Sequence, residues 1–159
     1  MNSAVDFARG SPLSQGPTGY ILSYGVSYRT ASGEGKAALP AAPTCPPSAE
    51  AVRAAFVTKC GFSPQFSHTL DKDVTRSGMI EDVRRAATTI ASHDVVVLFF
   101  SGHGTRLDDT SCVFDCAGCF VSVRKLQAVF AEVVMRRKVC DVALVVILDC
   151  CQTLSCGTS

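Results

Sequence analysis

Two uninterrupted apolar runs dominate the pattern along the chain, VVVLFF at residues 95–100 and VALVVIL at residues 142–148. Both are short and rich in β-branched residues, and neither alternates with polar positions. Such runs suit strands covered on both faces, the habit of parallel sheets. Further strands are predicted at 20–28 and 65–70. Between them the period changes to that of helices. Met79, Ile80, Val83, Ala86, Ala87 and Ile90 mark one face of a helix that Thr75 can cap. Val123, Leu126, Phe130 and Val133 do the same for a helix over residues 122–137. Val52, Ala55 and Phe56 mark one face of an earlier helix that ends at Gly61. Its expected N-cap is Ser48, with Pro46-Pro47 preventing an earlier start.

Strands alternating with helices predict a three-layer α/β/α domain around a mostly parallel sheet. Residues 1–18 are aperiodic and rich in Ser, Gly and Pro, and read as a flexible lead-in to a domain over 19–159. Residues 30–47 read as a Gly/Ala/Pro loop and 108–120 as a small turn region. No internal repeat is present.

Composition narrows the function classes. At 159 residues, 47% hydrophobic and 18% charged, the chain fits one domain with a real core. A net charge of +1 gives no electrostatic case for nucleic acid or an anionic membrane. The one basic cluster, Arg136-Arg137-Lys138, closes a predicted helix, where positive side chains are favourable. No apolar run approaches the roughly 18 residues of a membrane span. The N-terminus lacks the apolar core of a signal peptide. Nine cysteines without an export signal point to free thiols in a reducing compartment, the cytoplasm. Each is then a small hydrophobe, a metal ligand or a nucleophile.

Parallel strands place functional residues at their carboxyl ends. Ser101-Gly102-His103-Gly104 follows the first apolar run and Asp149-Cys150-Cys151-Gln152 the second. If the two strands are neighbours, at about 4.8 Å spacing, an imidazole and a thiol meet at one edge of the sheet. A thiol attacks a carbonyl as thiolate, and a nearby imidazole can take its proton. The glycines flanking His103 would let a substrate backbone approach closely. The amides of Gly104 and Cys151 could form an oxyanion hole.

These two motifs resemble those of the caspase, metacaspase and paracaspase peptidases, over about residues 20–154. His103 and Cys151 lie 48 positions apart, similar to the roughly 50 between the catalytic pair of caspases. Metacaspases and paracaspases carry Asp-x-Cys after this strand, so the resemblance makes Cys151 the nucleophile, His103 its partner and Cys150 the variable middle residue. Caspases proper carry Gln-Ala-Cys-x-Gly there, and this chain does not. In the Asp-x-Cys branches the Asp lines the pocket for the residue before the cut. Asp149 therefore implies a basic side chain, Arg or Lys, in that pocket.

Three departures qualify the resemblance. Metacaspases supply a second pocket Asp a few residues after a Cys, and the matching position after Cys45 is Ser48, with Glu50 out of phase. Many bind calcium after the catalytic His, but Asp108, Asp109 and Asp115 are too few carboxylates for six to eight oxygens. Family members also continue with a small-subunit portion, whereas this chain stops eight residues after Cys151. Cys112, Cys116 and Cys119 have a zinc-like spacing without a nearby fourth ligand. No metal or other cofactor is expected. The leading expectation is a cysteine endopeptidase acting on peptides or proteins through a thioester, with Cys151, His103, Gly104 and Asp149 as site residues. A small-subunit segment or a second copy of the chain is expected to complete it. The alternative is a non-catalytic caspase-like module. A nucleotide-binding domain is a third reading, opposed by the absence of a Gly-rich phosphate loop after any strand.

Overall fold

The computed structural model describes residues 18–27, 42–66, 68–107, 110–114 and 119–154. Six strands and three helices follow one another: β1 (Gly19–Gly25), α1 (Cys45–Cys60), β2 (His68–Leu70), α2 (Arg76–Thr89), β3 (Val95–Leu107), β4 (Thr110–Phe114), β5 (Phe120–Ser122), α3 (Val123–Arg137) and β6 (Ala143–Leu154). A single 3-10 turn, Asp71–Asp73, follows β2. The predicted lead-in and most of the 30–47 loop lie outside the described residues.

The sheet has the order β2-β1-β3-β4-β5, with β6 on β3. β1, β2, β3 and β6 are parallel, while β4 and β5 are antiparallel. β3 organises the rest. β1 accompanies it only as far as Ser101, and β4 takes over from Gly104. β6 pairs with β3 from Val95 through Arg106, so it must hold the opposite edge. Within the turn region expected at 108–120, the described residues Thr110–Phe114 form a strand that returns antiparallel along β3. It extends the sheet where β1 has left it.

Alternation sorts the side chains. Leu22, Tyr24, Val96, Leu98 and Phe100 pack with Met79, Val83 and Ala87 of α2 and with Leu126, Val129 and Phe130 of α3. The opposite face carries α1, where the Ser23 hydroxyl donates to Ala49 O at 2.7 Å. Three layers result, as the alternation of elements predicts. Thr75 caps α2 by accepting from Gly78 N, and Ser122 caps α3 by accepting from Lys125 N. Arg136 and Arg137 do lie in the last turn of α3. The Arg137 guanidinium also donates to Ala87 O and Ile90 O, both at 2.8 Å, closing the end of α2.

Two expectations need correction. α1 begins at Cys45 with Thr44 at its N-cap, so Ser48 lies in the first turn and caps nothing. Pro46 and Pro47 do not delay the helix, because first-turn amides have no intrahelical acceptor and the ring pre-sets φ. β6 is apolar on both faces, yet only one is covered. Leu144, Val146, Leu148 and Cys150 pack against the core, whereas Val145 and Ile147 are 43% and 37% exposed. Among the described helices α1 lies over β1 and β3, and none lies over that side of β6.

Candidate active site

Both motifs sit inside strands rather than beyond their ends. β3 runs on to Leu107 because β4 pairs with its last four residues, and β6 runs alongside it to Leu154. The ladder therefore fixes how the two motifs face each other. Ser101 pairs with Asp149, Gly102 with Cys150, His103 with Cys151 and Gly104 with Gln152. The expected adjacency of His103 and Cys151 is met in the backbone register, residue against residue.

The strand period of two separates the remaining members. Ser101, His103 and Asp149 are odd positions, on the α1 side of the sheet. The Ser101 hydroxyl, fully buried, donates to Asp149 Oδ2 at 2.8 Å and so fixes the carboxylate. Cys150 is one step out of phase and packs toward the α2/α3 core. A Cβ on Gly104 would lie 2.5 Å from Cys150 Sγ and 3.1 Å from Cys112 O. A Cβ on Gly102 would lie 2.9 Å from the Phe100 ring. The glycines flanking His103 thus make room for core side chains.

A cleft of about 450 Å³ opens where these residues converge. Its floor is Gly102, His103, Leu148, Asp149 and Cys150, and its wall is Ala42, Thr44 and Cys45 at the entry to α1. Ser48, the position matched to the second pocket acid, is not part of that lining. Among the described residues the wall presents an alcohol and a thiol, with no second carboxylate. Ser101 and Thr44 were not singled out from sequence as site residues. A signal for Ser101 exists: it precedes His103 by two, as Asp149 precedes Cys151, so neighbouring strands in register must bring the two together.

Other candidate positions stand apart. Cys112 is buried in β4, where desolvation pushes its thiol pKa up, so it stays protonated and inert. Cys119 is exposed, and Cys116, Asp108, Asp109 and Asp115 lie outside the described residues. Among the described residues no three His, Cys, Asp or Glu side chains gather as metal ligands. No described helix is long and apolar enough to cross a membrane.

Residues 41–158 match the family model of the caspase domain. The fold is similar to the crystal structure of protein GSU0716 from Geobacter sulfurreducens, with a TM-score of 0.68 and 23% sequence identity. The likeness covers 86% of this chain and 52% of that one, so this chain spans about half the length of its structural relative. No curated protein matches the sequence.

Proposed function

The chain belongs to the caspase-domain peptidase family, and from that premise we propose that it is a cysteine endopeptidase in which Cys151 and His103 form the catalytic dyad. One observation carries the reading: His103, which lines the cleft, is the direct register partner of Cys151 on the adjacent parallel strand. In the proposed mechanism His103 takes the proton of the Cys151 thiol. The thiolate attacks the substrate carbonyl, and the imidazolium then protonates the leaving amine. Water, deprotonated by the same imidazole, hydrolyses the thioester.

Asp149 is the proposed recognition group for an Arg or Lys side chain before the scissile bond. Ser101 supports it there by holding Oδ2 and leaving the second carboxylate oxygen for the substrate. Gly104 is the proposed oxyanion donor. It pairs with both Val113 and Gln152, and a strand flanked on both sides uses its amides in the sheet. Its amide becomes available only if the ladder that engages it parts as substrate enters.

The bare side of β6 suits a completing segment, either a small-subunit portion or a second copy of the chain. The free cysteines suit the cytoplasm. A non-catalytic module is the second reading, favoured by the position of Gly104 within two ladders. An electrophilic Arg-peptide probe separates the two. Covalent labelling at Cys151 supports the peptidase, and no labelling with the completing segment present supports the module.

A further inference from the structure

The carboxyl edge of the sheet carries a polar chain that reaches well beyond the cleft. Ser101 holds Asp149 through its hydroxyl, and its carbonyl accepts from Val26 N at 2.9 Å. The next residue, Ser27, is gripped from the other side by Asp71. Asp71 Oδ1 accepts both Ser27 N at 2.8 Å and the Ser27 hydroxyl at 2.5 Å. The Ser27 carbonyl in turn accepts Ala42 N, and Ala42 O accepts Cys45 N at 3.1 Å. Ala42 and Cys45 are cleft wall. Asp71 thus stands two strands away from His103 yet holds the point at which the chain returns to the site.

The backbone at Asp71 agrees with a fixed task. Its φ is 48°, the left-handed region that a side chain disfavours and that Asp and Asn tolerate best. β2 delivers it there, because Leu70 pairs with Gly25 at the end of β1. Neither the catalytic dyad nor the pocket carboxylate accounts for a double acceptor at this spot.

We propose that Asp71 is a positioning residue for the substrate cleft: by gripping Ser27 it sets where Ala42 and Cys45 stand and hence how wide the cleft is. The proposal rests on the peptidase reading only in taking the cleft as the substrate site. The clamp itself can be tested without turnover.

Cys45, 8% exposed, reports on the wall, and Cys112, 2% exposed in β4, reports on the core. Native alkylation of the 159-residue chain by iodoacetamide, read peptide by peptide by mass spectrometry, follows both thiols at once. Asp71→Ala removes two hydrogen bonds and is expected to speed Cys45 about five- to tenfold while Cys112 stays slow. Asp71→Asn keeps an acceptor oxygen and tolerates the backbone, so it is expected to stay within about twofold of wild type. Ser27→Ala keeps the amide bond and falls between them, which preserves the test if Asp71→Ala does not fold. An unchanged Cys45 rate in the folded variants overturns the clamp, as does equal acceleration of Cys112, which marks general loosening. In a turnover assay Asp71→Ala raises KM for an Arg-peptide with kcat little altered. If wild type shows neither turnover nor labelling at Cys151, the peptidase reading fails, while the Cys45 and Cys112 rates still decide the clamp.

Discussion

His103 on β3 and Cys151 on β6 are paired Cα to Cα in the parallel ladder, while Cys150 is paired with Gly102. One step along a strand reverses the face a residue serves. Cys150 packs against the core and also contributes to the cleft floor, so the proposed nucleophile, Cys151, is tested against it. Cys151→Ala is expected to abolish labelling by an electrophilic peptide and to cut hydrolysis by about 10⁴-fold or more. Cys150→Ala retains most of both. Activity kept in Cys151→Ala and lost in Cys150→Ala would move the nucleophile by one position.

Asp149 lines the cleft, and the buried Ser101 hydroxyl behind it donates to Oδ2 at 2.8 Å. Asp149→Ala is expected to lower kcat/KM for Arg-peptides on the order of 100-fold, since truncating one partner of a hydrogen-bonded charge pair costs about 2–5 kcal/mol. Ser101→Ala costs less, roughly tenfold, because the carboxylate remains but swings. Profiling a peptide library decides the preference. Selection of Asp before the cut would reject the pocket assignment and leave the dyad standing.

Gly104 is a packing requirement before it is anything else. Gly104→Ala drives a methyl into Cys150 Sγ and Cys112 O, and is expected to cost about 1–3 kcal/mol in thermal unfolding. In a Cys150→Ala background the sulfur is gone and the cost falls. A double-mutant cycle measures that coupling, and strict additivity would show that the thiol is not what excludes the methyl.

Arg137 joins the ends of two helices through Ala87 O and Ile90 O. Arg137→Ala is expected to destabilise the domain by about 1–2 kcal/mol, lowering Tm by about 2–4 °C per kcal/mol for a chain of this size. Arg136 instead pairs with the exposed Glu132, so Arg136→Ala should leave Tm within about 1–2 °C of wild type. Scanning calorimetry on both variants checks the contrast, and equal effects would reject it.

Among the described residues β6 presents an exposed apolar stripe and pairs along one edge only, which invites strand pairing. The 159-residue chain alone is expected to self-associate and to turn over Arg-peptides poorly, because a loose cleft holds substrate out of line for attack. Val145→Lys with Ile147→Lys puts charge on the exposed stripe. Light scattering should then show less association with the fold retained by circular dichroism. A monomeric, briskly active wild-type chain would mean that the sheet is complete without further strands.

Much was legible in the sequence because it depends on local pattern. The two apolar runs gave β3 and β6, the 3.6-residue periods gave α2 and α3, and Thr75 and Ser122 stand at the helix starts expected of them. The caspase-domain family was readable from two short motifs and their separation. Other features follow from non-local competition, which a single sequence does not display. Whether β3 stops at Phe100 or runs to Leu107 depends on β4 arriving to pair with it. Whether Pro46-Pro47 blocks a helix or opens one depends on which amides the first turn leaves unbonded. The glycines beside His103 could be assigned to the core only once Cys150 and Phe100 were known to occupy the space behind them. Sequence alone thus determined the alternation of elements and the types of reactive group, because periodicity and chemistry are carried by each residue. Tertiary structure decided the register that sets His103 against Cys151, the grip of Ser101 on Asp149 and of Asp71 on Ser27, and the bare side of β6, because each depends on which distant strand lies alongside.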